Sequence, residues 1–308
     1  MTGSICNLIQ AHPHPSEWTK WLCSNHGAAA IDVLRFLNHA LECLDPAKRK
    51  LFKRGLVSRR GTQVDDMLME LVAHQIFHQH HLNPSLYPSA CGGLTPDIAL
   101  DIRGQRYLVD VFVTNSPSST ITQHGPGLGS AKDAGERARK IARDIEKKTD
   151  KYARCADPLV MVVFLGDHEI LDTWCVQQAL YGVTTSEFTA ATRYPIDFDI
   201  RGRMGGCIWP AEGQPIPRSM LSAVIVCDWF DTLNRRKPGK RIHCTVLHHY
   251  APKIPFPRMV LTPFHNVVWK RINSRSWRPI HDGQRNMVAR LNKNGRFDFG
   301  VYSSDNPW

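Results

Sequence analysis

The sequence predicts an α/β fold, a mixed central sheet with a helical N-terminal part and extra strands towards the C-terminus. Three patterns carry this expectation. Residues 159–165, Leu-Val-Met-Val-Val-Phe-Leu, form an unbroken apolar run of strand length, the mark of a strand buried on both faces. Strict alternation at Ile98, Leu100 and Ile102, and again at Tyr107, Val109, Val111 and Val113, flanks Arg103-Gly104 and reads as a β-hairpin. Apolar residues elsewhere recur at threes and fours, as at Ile31, Leu34, Leu37, Leu41 and Leu44, the period of an amphipathic helix.

Taken in order, residues 15–55 read as helical. Asp45-Pro46 supplies an N-cap and a first-turn proline for a short helix from Ala47 to Arg54, with Gly55 as its stop. That helix and its exit carry Lys48, Arg49, Lys50, Lys53, Arg54, Arg59 and Arg60 with no acid among them. They form either a solvated basic face or a phosphate-contacting surface. A helix from Thr62 to Phe77 follows and ends before Pro84 and Pro88. After the hairpin, residues 116–130 read as a Gly/Ser/Thr/Pro loop and Ala131 to Tyr152 as a long charged helix. Ser222–Cys227 and Ile242–Leu247 are expected to extend the same sheet, joined by Arg235, Arg236, Lys237, Lys240 and Arg241. From Trp269 to Gly300, eight Lys or Arg, including Lys270 and Arg271, stand among Trp269 and Trp277. The stretch suits a nucleic-acid groove or a solvated extension. The expected division is a helical extension over 1–60, a main domain over 61–268 and a basic extension over 269–308.

The chain has 308 residues, 42% of them hydrophobic, enough to bury a full core. No apolar run approaches the roughly 18 uncharged residues of a membrane span, and the N-terminus lacks a basic start followed by an apolar block. A cytoplasmic protein with no membrane partner is the expectation. Lys and Arg number 39 against 28 Asp and Glu, a net charge of +11 that favours a polyanion, above all nucleic acid. Nine scattered cysteines with no CxxC read as thiols in a reducing compartment, and no cysteine-based zinc site is expected.

The hairpin register follows from its faces. A two-residue turn between Ile102 and Gln105 sets Ile98 opposite Val109, Leu100 opposite Tyr107 and Asp97 opposite Asp110. Two carboxylates so placed have Cβ atoms about 4.5–5.5 Å apart, and the like charges destabilise a sheet. A shared proton or a hard cation such as Mg²⁺ would offset the repulsion; otherwise either Asp caps a turn or pairs with a nearby Arg.

These residues resemble the PD-(D/E)xK, or restriction endonuclease-like, nuclease superfamily over about residues 62–166. The shared parts are a helix bearing Glu70, Pro96-Asp97 on one strand, Asp110-Val111 on the next, then a helix and the buried strand 159–165. The resemblance implies an αβββαβ core whose first strand lies within 86–91. It also implies a Mg²⁺-dependent DNA endonuclease, with Mn²⁺ as a substitute, acting on duplex DNA in bacterial restriction or phage defence. Asp97, Asp110 and the Val111 carbonyl would hold the metal with help from Glu70, or from Asp66 one turn earlier, the alternative for Glu70 being an exposed helix residue. Phe112 departs from the pattern, standing where DxK has lysine. Either the site is impaired, leaving a silent nucleic-acid-binding protein, or the lysine comes from the next helix. Lys148 is the candidate: Ala138, Ile141, Ile145, Lys148 and Tyr152 step by three and four, so Lys148 lies in the apolar stripe, catalytic or snorkelling at its edge. RNA is the alternative substrate, and cutting two strands suggests a homodimer. His74 and His78 share a helix face and permit a metal, but no HExxH surrounds them, and a polar helix end is the simpler reading.

Overall fold

A computed structural model of the chain describes residues 5–12, 17–24, 28–58, 62–114, 131–165, 176–181, 219–228, 241–249, 251–258, 260–262, 264–271, 277–282, 287–292, 294 and 296–301. The helices are α1 (Ile5–Gln10), α2 (Glu17–Ser24), α3 (Ala28–Cys43), α4 (Pro46–Ser58), α5 (Thr62–Gln79) and α6 (Ala131–Lys151). The strands are β1 (Ser85–Leu86), β2 (Ile98–Ile102), β3 (Gln105–Thr114), β4 (Leu159–Leu165), β5 (Leu221–Asp228), β6 (Arg241–His248), β7 (His265–Arg271), β8 (Trp277–Asp282), β9 (Met287–Leu291) and β10 (Phe297–Val301).

The class is the mixed α/β one expected. Strands β1 to β8 lie side by side in chain order, and β9 and β10 form a hairpin attached to β6. The β3–β4, β4–β5 and β6–β7 pairs are parallel and the rest antiparallel. The parallel β3–β4 pair follows from α6 between the two strands, since a parallel neighbour needs a crossover. None of the helices among the described residues is long and apolar enough to cross a membrane.

Both faces of the sheet are covered. Ile98, Leu100, Val109, Val111, Val160, Val162, Phe164 and Ile225 face one core with residues of α1 to α5. Leu108, Met161, Val163, Leu165, Val224 and Val226 face the other, with Ala138, Ile141 and Ile145 of α6 and Val176 and Leu180. This two-sided burial is why β4 has no polar alternation: its odd and even side chains enter different cores. Helix α5 is buried at every position from Met67 to Phe77, enclosed by helices on one side and the sheet on the other.

The β2–β3 register is the expected one, with Ile98 opposite Val109, Leu100 opposite Tyr107 and Asp101 opposite Arg106. The turn has both central residues in the left-handed region, Arg103 at φ 55° and Gly104 at φ 77°. This is the pattern whose twist matches paired strands, and a side chain at Arg103 is strained in it.

Three features differ from the sequence reading. Gly55 does not end its helix; α4 runs on to Ser58. A glycine inside a helix costs only about 1 kcal/mol, and here the Met67 side-chain end packs against it, 2.7 Å from where a Cβ on Gly55 would lie. The Asp45 N-cap is present, its Oδ1 accepting the Lys48 N–H at 2.9 Å. The stretch beyond Trp269 is largely strand, and its last hairpin closes on the helical layer, with Phe297 packed on Phe36 at 4.7 Å between ring centroids. Finally, Cys91 and Cys155 are joined in a disulfide, whereas the scattered spacing suggested thiols; the fold brings together cysteines 64 residues apart. Cys6, Cys23, Cys43, Cys227 and Cys244 are free.

The turn is testable. Arg103→Asn, which tolerates the left-handed conformation better, is expected to stabilise the protein by about 0.5–1 kcal/mol. Denaturant unfolding should show a higher midpoint with an unchanged slope.

Candidate active site

Strand alternation places the two aspartates on one face. Leu108 and Phe112 pack on the α6 side, so Asp110 between them in parity points there as well. Ile98 faces the opposite core, so Asp97, its neighbour, points to the α6 side too. Continued by one step, the observed register sets Asp97 opposite Asp110.

The end of β2 is built by Asp97 itself. Its Oδ2 accepts the backbone N–H of Val111 at 2.7 Å, taking the place of a ladder carbonyl. The Leu108 N–H, by contrast, donates to the Pro158 carbonyl on the β4 side. Backbone groups alternate along a strand, so the polar groups of Val111 face the β2 side. Pro96 would stand opposite Val111 in the same register, and proline has no N–H to give. The Val111 carbonyl is therefore directed past the end of β2, beside Asp97, with no ladder donor from that position.

Asp110 is buried and heavily bonded. Its side chain is 2% exposed; Oδ2 accepts from Lys148 Nζ at 3.0 Å and Oδ1 from the Tyr152 hydroxyl at 2.9 Å. Lys151 Nζ stands farther off, at 3.9 Å. The α6 stripe positions these donors: Ala138, Ile141, Ile145 and Tyr152 are buried, and Lys148 lies among them with its head turned to Asp110. Lys148 Nζ also lies over the Phe112 ring, 5.5 Å from its centroid, so an ammonium stands against the residue that replaces the expected lysine. Burial, and then the Asp110 charge, push the Tyr152 phenol above its ordinary range, so it stays a proton donor.

The pair is electrostatically frustrated at its other member. Burial first, and the Asp110 charge second, raise the Asp97 carboxyl from 3.8 to about 7; the Val111 N–H, Lys148 and Lys151 act in the opposite direction.

Glu70 is buried on the α5 side, not exposed, and accepts a 2.6 Å hydrogen bond from the Tyr87 hydroxyl. The Tyr87 N–H in turn binds the Asp97 carbonyl at 2.9 Å, so Glu70 is connected to the aspartate pair through Tyr87 and the backbone. Asp66 is half-buried. The basic helix face is only partly available to a ligand. Lys48 Nζ donates to the Tyr87 carbonyl at 3.2 Å, and Arg49 donates to the carbonyls of Glu42 and Leu44. Lys50 and Arg54 are exposed and Lys53 half-exposed. Arg59, Arg60, Arg235, Arg236 and Lys237, and the side chains of Lys270 and Arg271, lie outside the described residues. His74 is buried and stacked on His78, and burial lowers it to about 4, which suits a neutral packed ring. Sequence reasoning missed Tyr152 and Tyr87. Tyr152 was visible as a polar-tipped member of the α6 stripe, four residues beyond Lys148, whereas nothing in the sequence marked Tyr87.

Among the described residues, no group of three or more His, Cys, Asp or Glu side chains is arranged to hold a metal ion. Mg²⁺ asks for less, one or two carboxylates with waters and substrate phosphate completing the octahedron. The donor set fits that demand: Asp97 and Asp110 lie on one face, and the Val111 carbonyl belongs to a strand position where Pro96 has no ladder N–H to offer. The Asp97 carboxyl, raised first by burial and then by the adjacent Asp110 charge, is the group a cation would relieve.

Two measurements check this electrostatic reading. A carboxyl raised in the fold stabilises the protein fully below its unfolded pKa, near 3.8, and loses that contribution as pH climbs through about 7. Metal-free protein should therefore lose stability between about pH 4 and 7, and Asp97→Asn should flatten that decline in denaturant titrations. Tyr152→Phe strips a donor from a buried carboxylate and is expected to cost about 1–3 kcal/mol, with an unchanged circular dichroism spectrum. In comparisons with known proteins, no family model, curated protein or solved structure matches this chain.

Proposed function

We propose that this chain is a metal-dependent phosphodiesterase with a restriction endonuclease-like core, cutting duplex DNA. The helix, three strands, helix and strand from α5 to β4 support that core, and Asp97, Asp110 and the Val111 carbonyl are the groups that would hold Mg²⁺, or Mn²⁺ in its place. One observation carries the reading. The Lys148 ammonium lies 3.0 Å from Asp110 and above the Phe112 ring, which supports α6 as the source of the cation that the PD-(D/E)xK pattern would draw from β3.

When bound, the metal would supply a more acidic water and positive charge beside the scissile phosphate. The chain's own residues divide the remaining work. Lys148 is the donor that would orient the attacking water and offset charge building on the phosphate oxygens. Tyr152 fixes the Asp110 carboxylate from its other oxygen, so that Lys148 and Asp110 keep one geometry. Glu70 holds Tyr87, and Tyr87 holds the backbone of Asp97. Lys50, Lys53 and Arg54, with the +11 charge of the chain, would bind phosphates in a salt-sensitive way. Cutting both strands would call for two copies of the chain, and restriction or phage defence is the role that the resemblance implies.

The rival reading is a catalytically silent nucleic-acid-binding protein. It is favoured by one observation, that both oxygens of Asp110 already accept hydrogen bonds. A carboxylate has about four lone-pair sites, so two are left for a cation.

A plasmid-cleavage assay with Mg²⁺, Mn²⁺ or EDTA tests the proposal, with labelled duplex and single-stranded RNA as parallel substrates. Metal-dependent cutting is expected, abolished by EDTA and by Asp110→Ala and reduced at least about 100-fold by Lys148→Ala. DNA binding that survives EDTA, with no cutting under any metal, supports the silent protein instead; cutting of RNA alone moves the substrate class.

A further inference from the structure

Two chain segments meet beside the aspartate pair. One runs from Tyr87 to Asp97 and ends on Asp97 itself. The other is the end of α6 with the turn after it, from which Lys148 and Tyr152 reach Asp110. Cys91, six residues before Asp97, and Cys155, three after Tyr152, join these segments covalently. The Cys155 N–H also binds the Tyr152 carbonyl at 2.9 Å, so the bond anchors close to the Tyr152 backbone.

Tyr87, at the start of the first segment, is held by Glu70, Lys48 and the Asp97 carbonyl, whereas around Cys91 the backbone bonds are local, the Ala90 N–H donating to the Leu94 carbonyl at 2.8 Å and the Leu94 N–H to the Cys91 carbonyl at 3.2 Å. Gly92 and Gly93 adopt φ 63° and 75°, and a Cβ at either would meet nothing within 4 Å. Ala90 and Leu94 pack against the α6-side core. Arg106 makes a weaker second tie between the same segments, donating to the Ser89 carbonyl at 2.7 Å and standing 3.9 Å from Asp157. Its guanidinium and that carboxylate are 41% and 31% exposed, so solvent screens the ion pair.

We propose that the Cys91–Cys155 disulfide is a redox latch on this site, whose reduction frees the loop leading to Asp97 from the helix end that carries Lys148 and Tyr152. Its consequence for cleavage rests on the nuclease reading; its consequence for local order does not. Cys91 is exposed and Cys155 is 5% exposed, so a small thiol reaches the Cys91 sulfur first. The attacking thiolate forms a mixed disulfide on Cys91 while the S–S bond breaks, and Cys155 leaves as a thiolate and takes a proton. A second thiol then resolves the mixed disulfide, restoring the Cys91 thiol. Two electrons pass from two small thiols, which end as their own disulfide. The reduced protein keeps its cores and the Arg106 tie, so the segment loosens without global unfolding.

Differential alkylation read by mass spectrometry, amide hydrogen exchange and Mn²⁺ titration, each on the full chain with and without dithiothreitol, test the latch. Cys91 and Cys155 should resist alkylation until reduction. Reduction should then speed exchange across residues 87–97 and 149–157 by about tenfold and weaken Mn²⁺ binding by about threefold or more. Cys91→Ser should show the reduced values in either condition, and Arg106→Ala should enlarge the response to reductant. Full alkylation of both thiols in air-oxidised protein overturns the latch, as does exchange that ignores reduction. So does Mn²⁺ affinity that stays equal in the two states while exchange changes. If exchange responds but Mn²⁺ binds in neither state, the latch stands and the nuclease reading falls.

Discussion

Asp97 and Asp110 are held together by a hairpin register that neither can leave. A slip of one residue would turn Ile98, Leu100, Val109 and Val111 out of the core beneath α5, and their burial stabilises the hairpin by far more than a like-charge contact costs. The hydrophobic pattern thus imposes an electrostatic problem on the opposite face of the same strands. The residues around the pair act as partial answers to it.

The answers are unequal. Asp110 takes the cation of α6 and the phenol of Tyr152 just beyond that helix, and sits almost wholly away from solvent. Asp97, buried with a backbone N–H and a neighbour of its own sign, has its pKa raised first by that burial and then by the Asp110 charge. A cation brought to the pair would relieve Asp97, whose charged form is disfavoured by burial and by the Asp110 charge. Phe112 fits the same arrangement, because its ring, 5.5 Å from the Lys148 ammonium, offers that cation a favourable surface while it bonds Asp110.

Elements outside the hairpin serve to hold its geometry. Helix α5, buried from Met67 to Phe77, presents Glu70 to Tyr87; Lys48 at the start of α4 clasps the Tyr87 carbonyl; and the disulfide and Arg106 tie the following loop to the end of α6. Charge that looked like a nucleic-acid surface is in part consumed by these internal bonds. Lys48 and Arg49 cap and clamp, and the solvent-facing part of α4 is the share carried by Lys50, Lys53 and Arg54.

The sequence by itself determined the features written in local periodicity: the paired faces of β2 and β3 with Asp97 and Asp110 together, the double-sided burial of β4, and the α6 stripe that turns Lys148 inward. These follow from side-chain direction, fixed by a period of two in strands and about 3.6 in helices. Tertiary structure alone decided which partners those side chains meet. Tyr152 on Asp110, Tyr87 between Glu70 and Asp97, Cys91 with Cys155, and Gly55 against Met67 all join positions remote in sequence. The strands after Trp269 were masked by their basic residues. No local pattern encodes such pairings, because they depend on how whole layers pack, and packing is set by the sum of many weak apolar contacts rather than by any one spacing.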